Sequence, residues 1–335
     1  MESQDKNNEN NLKLLTQLHG LNYNYSKELV EKILDLIESD TIDINFSDII
    51  RKEQRTILFI ASSGGHADIV EKLLNKGAEI DKPDIYGNTP LHAAVDAGHI
   101  NIVELLLNKG ANINTTNNNG YTPLYTAVEI ERPDIVDLLL KKGAKISFES
   151  KPYTTPIHHI SIYETGDIGV ELLNVFIKNG VNINEQDIHG YTPLHIASTN
   201  NNYKIAKVLI ENSDNLDIKT DNGKTAFDIA TEKGHPEIIE LLKNAALKEG
   251  KSNPVENNLK KETLGNTTQK DNYTYNPLHA NTELFINPTP GSLAGNYKNP
   301  RPTNTRLPPI THRGGKRRQQ KTRRRRNKKS HRKRR

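Results

Sequence analysis

Apolar residues return along this chain in short groups of one design, separated by polar turns. In "INIVELLLNKG", from Ile100 to Gly110, residues Ile102, Val103, Leu106 and Leu107 recur at the spacing of a single helix face. Just upstream, "GNTPLHAAV" starts at Gly87. There Thr89 is placed to cap a helix with its hydroxyl, and Pro90 fits the first helical position, which needs no N–H partner. Leu91, Ala93 and Ala94 predict a short helix whose small residues allow neighbours to approach closely. Gly98 can take the left-handed conformation that stops this helix, and His99 opens the second. Gly110 ends the second helix, and "ANINTTNNNG" brings turn chemistry before the next threonine. The pattern predicts a unit of helix, turn, helix and extended loop.

The unit repeats. "GYTPLYTAV" starts at Gly120, "GYTPLHIAS" at Gly190, and a worn "GKTAFDIAT" at Gly223. Anchored on their threonines, the copies fall at Thr56, Thr89, Thr122, Thr155, Thr192 and Thr225, with spacings of 33, 33, 33, 37 and 33 residues. A fixed period of this size predicts a stacked solenoid. One helix pair cannot bury its apolar face, but each copy in a stack covers the next.

These residues resemble the ankyrin repeat. From Gly87 to Asn114 the "G-x-T-P-L-H-x-A" opening, the "G-H" between helices and the "I-V-x-L-L-L-x-x-G-A-x-I-N" ending stand almost complete, and the resemblance covers roughly 47–248. The expected fold is therefore an all-α ankyrin-repeat solenoid of about six units. "ELVEKILDLIESDTIDIN" (Glu28 to Asn45) parallels "ADIVEKLLNKGAEID", which predicts a degenerate N-terminal cap with one face toward water. The resemblance implies that the TPLH histidines, His92, His158 and His195, tie adjacent loops by hydrogen bonds; Tyr125 and Asp228 replace this residue in two units. Two other departures carry expectations. The inter-helix turn Ile130-Glu131-Arg132 lacks glycine and should differ from the rest. The unit at Thr155 has Tyr153 where the loop glycine belongs, and four extra residues around "YETGDIG", expected between its helices as an irregular spot or a partner-specific bulge.

Composition divides the chain. Arg301 to Arg335 hold 17 Lys and Arg and no acid, leaving 29 basic against 41 acidic residues in the first 300. An acidic body with a basic tail usually marks the tail as an interaction segment. There is no cysteine, which removes disulfides and thiolate metal sites. The N-terminus "MESQDKNNENN" is too polar for a signal peptide, and no apolar run is long enough to span a membrane. The chain reads as intracellular, nuclear or cytoplasmic, and monomeric. The expected parts are a polar segment over 1–20, the repeat domain over 21–249, an Asn/Pro/Thr-rich disordered linker over 250–311 and a disordered Lys/Arg-rich tail over 312–335.

Catalytic patterns are missing. Gly223-Lys224-Thr225 resembles the end of a phosphate-binding loop, but Ile218 stands where a further glycine is required. The histidines fall in repeat register, and His158-His159 with Glu164 has no ligand spacing that would hold a metal. No nucleophile stands with a base and an orienting acid. No enzyme activity, cofactor or metal is expected.

The resemblance implies that a protein partner is held on a concave face of loop tips and first helices. Positions not claimed by the repeat lie there: Ile85, Tyr86, Asn88, Asn118, Tyr121, Ile188, His189, Tyr191, Asp221 and Lys224 in the loops, and Asp96, Ala97, Glu129, Ile130, Thr199 and Asn200 on the first helices. Tyr86, Tyr121 and Tyr191 form the preferred contact set, since tyrosine is enriched at interface hot spots, although packing on a neighbouring loop is an equal use. An acidic body favours encounter with a basic partner. From His312 onward, 15 of 24 residues are Lys or Arg. Lys316, Arg317 and Arg318, then Arg323, Arg324, Arg325, Arg326, Lys328 and Lys329, form two clusters that suit an import receptor, a nucleic acid or another polyanion. No aromatic residue interleaves to stack on bases. A nucleic-acid-binding protein whose main site is this tail is the alternative reading. The Asn-rich repeats with this terminus also resemble ankyrin proteins of large DNA viruses and AT-rich protists.

Overall fold

A computed structural model describes residues 9–11, 13, 14, 16, 17, 27–39, 42–47, 53–146, 155–162 and 166–248. Helix α1 (Lys27–Glu38) precedes six helix pairs: α2 (Ile57–Ser63) and α3 (Ala67–Asn75), α4 (Pro90–Asp96) and α5 (Ile100–Asn108), α6 (Pro123–Glu129) and α7 (Pro133–Lys141), α8 (Pro156–Ile162) and α9 (Gly166–Lys178), α10 (Pro193–Thr199) and α11 (Tyr203–Asn212), α12 (Ala226–Lys233) and α13 (Pro236–Lys248). The one β feature among the described residues is an antiparallel bridge between Ser47 and Thr56.

The first helices have seven or eight residues, well short of what holds a helix in isolation. Capping and packing compensate. The hydroxyls of Thr56, Thr89, Thr122, Thr192 and Thr225 accept from the backbone N–H three residues on, at 3.0 Å for Thr56 and Phe59 and 3.2 Å for Thr122 and Tyr125. First helices pack in one row, α2, α4, α6, α8, α10 and α12, and second helices in another, from α1 and α3 through α13. Ala61, Ala94, Ala127, Ala197 and Ala230 recur fully buried at one register of the first row, where a small residue lets the helices approach. A single buried cluster runs from Leu14 to Leu242, so every unit is covered by its neighbours.

The cluster begins earlier than the sequence pattern indicates. Residues 9–11, 13, 14, 16 and 17 are helical; Leu14 is fully buried, and the Asn11 side chain accepts from the Asp43 backbone N–H at 3.0 Å. These residues lie in the stretch expected to be a polar segment.

Two irregularities resolve against expectation. The glycine-free turn keeps the common geometry: Glu131 itself takes φ +57°, and the Glu131 and Arg132 N–H groups donate to Val128 and Ala127 as those of Gly98 and His99 do to Val95 and Ala94. The turn tolerates the strain because both flanking helices are fixed by packing. Among the described residues the four-residue insertion is taken up by a longer second helix, which opens at Gly166 with φ +62°. Helix α9 has 13 residues against nine in α5, and its buried Leu172, Leu173 and Phe176 take the roles of Ile102, Val103 and Leu106 four residues later. Four residues are about one helical turn, so the addition lengthens α9 at its N-terminus and keeps the apolar face in register. Tyr153 and residues 163–165 lie outside the described residues, as do the linker and tail from 249 onward.

Candidate partner-binding surface

The loops between units are built around one acceptor. Asp84 Oδ1 accepts from the N–H groups of Tyr86 and Asn88, both at 2.9 Å. Asn117 does the same for Asn119 and Tyr121 at 3.0 Å, and Asp187 for His189 and Tyr191 at 2.9 and 2.8 Å. Each acceptor stands five residues before an anchor threonine, a periodic signal that could have been read from the chain. At Asp84, burial raises the carboxyl pKa against the opposing pull of these N–H groups and of Arg55.

Adjacent tips are then joined through the backbone. Ile85 N–H donates to Glu53 O at 3.1 Å, Asn118 N–H to Tyr86 O at 2.9 Å, and Asp221 N–H to His189 O at 3.2 Å. Glycine is required where these strands of chain meet: Gly190 has φ +76°, and a Cβ on it would lie 2.7 Å from the Asp221 nitrogen.

The TPLH histidines lock the loops from beneath. Thr192 N–H donates to His195 Nδ1 at 3.0 Å, while His195 Nε2 is 3.1 Å from Lys224 O. A backbone N–H only donates and a carbonyl only accepts, so Nδ1 is bare and Nε2 carries the hydrogen. His92 repeats the arrangement between Thr89 and Tyr121 O, and His158 between the Thr155 hydroxyl and Tyr191 O. Burial pushes His92 and His195 down to about 4, which keeps them neutral, and lowers His158 as well. Tyr125 replaces the tie with another: its hydroxyl meets His159 Nδ1 at 3.0 Å, in the next first helix. Asp228 keeps the local half, accepting from Thr225 N–H at 2.9 Å.

A second set of ties was not foreseen. His99 Nε2 reaches back to Ser63 O at 3.2 Å, and His235 Nε2 to Thr199 O at 3.4 Å. Arg132 stands in the same place and donates from Nη1 to Gly98 O at 3.0 Å. At a further register, the side chains of Asn45, Asp81 and Asn114 accept from the N–H groups of Glu79, Asn112 and Lys145 in the following unit, at 2.8, 3.1 and 2.9 Å.

On this frame the candidate contact residues take different places. Ile85 and Ile188 project at the tips, 40 % and 60 % exposed, with His189 and Asp221 also exposed. Tyr86 and Tyr121 are half-buried. Tyr191 is only 7 % exposed; it packs with Ile196 and Ile229 and sets its ring edgewise to His195 at 5.9 Å. It has taken the loop-packing role and offers little contact area. Asn118 is exposed but engaged, donating from Nδ2 to Ile85 O at 2.9 Å, and Asn88 accepts from Asn117 Nδ2 at 2.9 Å. Of the first-helix positions, Glu129 is exposed, and Asp96 and Thr199 are half-buried, the latter donating to His195 O at 2.9 Å. Lys224 pairs with Glu232 at 2.7 Å. The basic residues from Lys316 to Lys329 lie outside the described residues. Among the described residues no group of three His, Asp or Glu could hold a metal, and no helix is long and apolar enough to cross a membrane.

A family model described as ankyrin repeats, in three copies, matches residues 5–117, 86–151 and 158–253. Serine/threonine-protein kinase 12 of Arabidopsis thaliana is 42 % identical over 66 residues, which are 20 % of this chain and 14 % of that protein. Protein phosphatase 1 regulatory subunit 12A of Rattus norvegicus is 26 % identical over 116 residues, 35 % of this chain and 11 % of that one. The matched stretches are thus small parts of these relatives. Among solved structures, the ankyrin repeat domain of Bcl-3, described as a unique member of the IkappaB protein family, superposes with a TM-score of 0.57 at 23 % identity, covering 67 % of this chain and 96 % of that one.

Proposed function

Since the chain belongs to the ankyrin-repeat family, we propose that it is a non-catalytic scaffold that holds a protein partner on its loop tips and first helices. The observation that carries this reading is the ladder of backbone bonds between successive tips, with Ile85 and Ile188 projecting from it. A surface already rigid before association loses little conformational freedom on binding, so exposed apolar anchors on it convert contact into affinity. The fold's constant parts are the caps and ties; the tips are free to carry specificity. The Lys/Arg-rich tail, on this reading, attaches the scaffold to a polyanion or an import receptor.

The test is affinity capture with the full chain and with an Ile85→Ala, Tyr86→Ala, Ile188→Ala variant whose helical circular dichroism is unchanged. Proteins bound by the wild type and lost from the variant, with at least about a tenfold drop in affinity on purification, support the proposal. An identical set, bound equally tightly by both, refutes it for this face.

A further inference from the structure

Asparagine is followed directly by glycine at three places in the chain: Asn119-Gly120, Asn179-Gly180 and Asn222-Gly223. In such a pair the glycine nitrogen can attack the asparagine side-chain carbonyl carbon, because no Cβ on the glycine obstructs the approach. The fold treats the three pairs differently.

Asn179 is tied down. It follows the last residue of α9 and is half-buried. Its Nδ2 donates to Asp137 Oδ1 at 2.9 Å and to Val175 O at 2.8 Å. Asn119 and Asn222 instead stand exposed at loop tips, in the register that Tyr86 and His189 occupy in other units. Among the described residues neither of these two side-chain amides has a hydrogen-bond partner. The backbone does not separate the pairs. Each glycine N–H donates to the carbonyl three residues back, at 2.8 Å for Gly120, 3.0 Å for Gly180 and 2.7 Å for Gly223. That bond must open in every case, so the side chain decides which pair reacts.

We infer that Asn119 and Asn222 are sites of spontaneous deamidation, and that Asn179 is protected. The glycine nitrogen bonds to asparagine Cγ, the Cγ–Nδ2 bond breaks, and ammonia leaves with the proton of the glycine N–H. Water then opens the cyclic imide at one of its two carbonyls. Nothing is oxidised or reduced; the amide nitrogen is lost as ammonia and water supplies the new carboxylate. Opening at the side-chain carbonyl gives aspartate. Opening at the backbone carbonyl gives a β-linked aspartate, whose main chain is longer by one methylene.

Both products add a negative charge to a tip, and the β-linked one also disturbs a closed loop. Asn117 N–H donates to Tyr121 O and Tyr121 N–H to Asn117 Oδ1, both at 3.0 Å. Around Asn222, Thr220 N–H donates to Lys224 O at 2.9 Å and Lys224 N–H to Thr220 Oγ1 at 3.3 Å. Tyr121 O and Lys224 O are also the carbonyls that His92 and His195 hold. An extra methylene between these partners loosens the closure and the histidine tie together. The tip face therefore changes as the chain ages, whether or not it holds a partner.

Peptide mapping by mass spectrometry tests this on the full chain, aged in mildly alkaline buffer with and without urea. In urea all three asparagines should convert at similar rates. In the folded chain Asn119 and Asn222 should convert at least about tenfold faster than Asn179, whose two side-chain bonds must break first. Conversion of Asn179 at an equal pace in the folded chain, or no conversion at either tip, overturns the inference. Asn119→Gln with Asn222→Gln keeps both amides but moves each carbonyl one methylene away from the glycine nitrogen. This variant should hold its isoelectric point over a period in which that of the wild type falls; an equal fall in both places the reaction elsewhere and also overturns the inference.

Discussion

Replacing His195 by glutamine separates the hydrogen-bonding role of the loop histidine from its proton chemistry. Glutamine can accept from Thr192 N–H through Oε1 and donate to Lys224 O through Nε2, as the neutral imidazole does, but it cannot titrate. His195 is held at about 4 in the folded chain, against an ordinary 6.5. Its folded-state pKa is depressed, so the unfolded chain binds the proton first. Stability from this group is fully present above pH 6.5 and is lost as the pH falls toward 4. At pH 5 the loss is about 2 kcal/mol, and the whole gap is worth about 3 kcal/mol, a sizeable share of a domain's net stability. Desolvation is the main cause, opposed by the bond to Lys224. Protonated Nδ1 would also face the Thr192 N–H donor to donor.

Urea unfolding followed by circular dichroism at pH 7.5 and pH 5.0 measures the effect. The wild type should lose stability between the two; in His195→Gln that loss should shrink by about 2 kcal/mol, or roughly 1 M in midpoint. Asp84, Asp96 and Glu129, whose pKa values are raised, gain on acidification, but equally in both proteins, so they cancel in the difference. Asp134 and Asp137 are lowered and act below about pH 4, outside the window. Identical pH dependence in the two proteins would refute the assignment of a neutral, proton-excluding His195.

Two further outcomes follow from the packing. Gly190→Ala should cost more than Gly223→Ala: both have positive φ, near +76° and +73°, but the added Cβ meets the Asp221 backbone at 2.7 Å in the first case and open space in the second. A penalty of about 1 kcal/mol is expected at Gly223 and at least twice that at Gly190, read as thermal midpoints; equal costs would show that the tips can part. Ser62→Ala and Ser198→Ala should be neutral or stabilising by up to about 1 kcal/mol, because each buried hydroxyl lacks a hydrogen-bond partner among the described residues and valines fill the same register at Val95 and Val128. A clear loss of stability in either would reveal a partner for the hydroxyl.

The parts of the fold that were legible are those written in short-range chemistry. Thr89, Pro90 and Gly98 announce cap, first turn and stop within ten residues, and a helical apolar face such as that of α5 needs only its own sequence to be recognised. What escaped is what a neighbour decides. Glu131 adopts a glycine's backbone because α6 and α7 are already held, and the insertion before Leu172 becomes a helical turn because only that choice returns the apolar face to its place. Leu14 escaped for another reason: Leu12, Leu14, Leu15 and Leu18 stand outside the threonine-anchored repeat, and the core that Leu14 joins is built by the units that follow.

The same division applies to the surface. Repeat logic shows which positions are free to vary, but two residues in one register can differ in what covers them. Ile85 and Ile188 share a register and both project, whereas Tyr121 and Tyr191 share another and part ways, one half-buried on Tyr125 and the other sunk beside Ile196 and Ile229. The residue at the histidine position sets the difference. Tyr125 offers a ring for parallel stacking; His195, tied between Thr192 and Lys224, presents only its edge, and Tyr191 turns inward against it. The surface of the tips is thus shaped one neighbour at a time, by the same pairwise ties that hold the units together, and an exchange at Tyr125 would reshape it without touching an exposed residue.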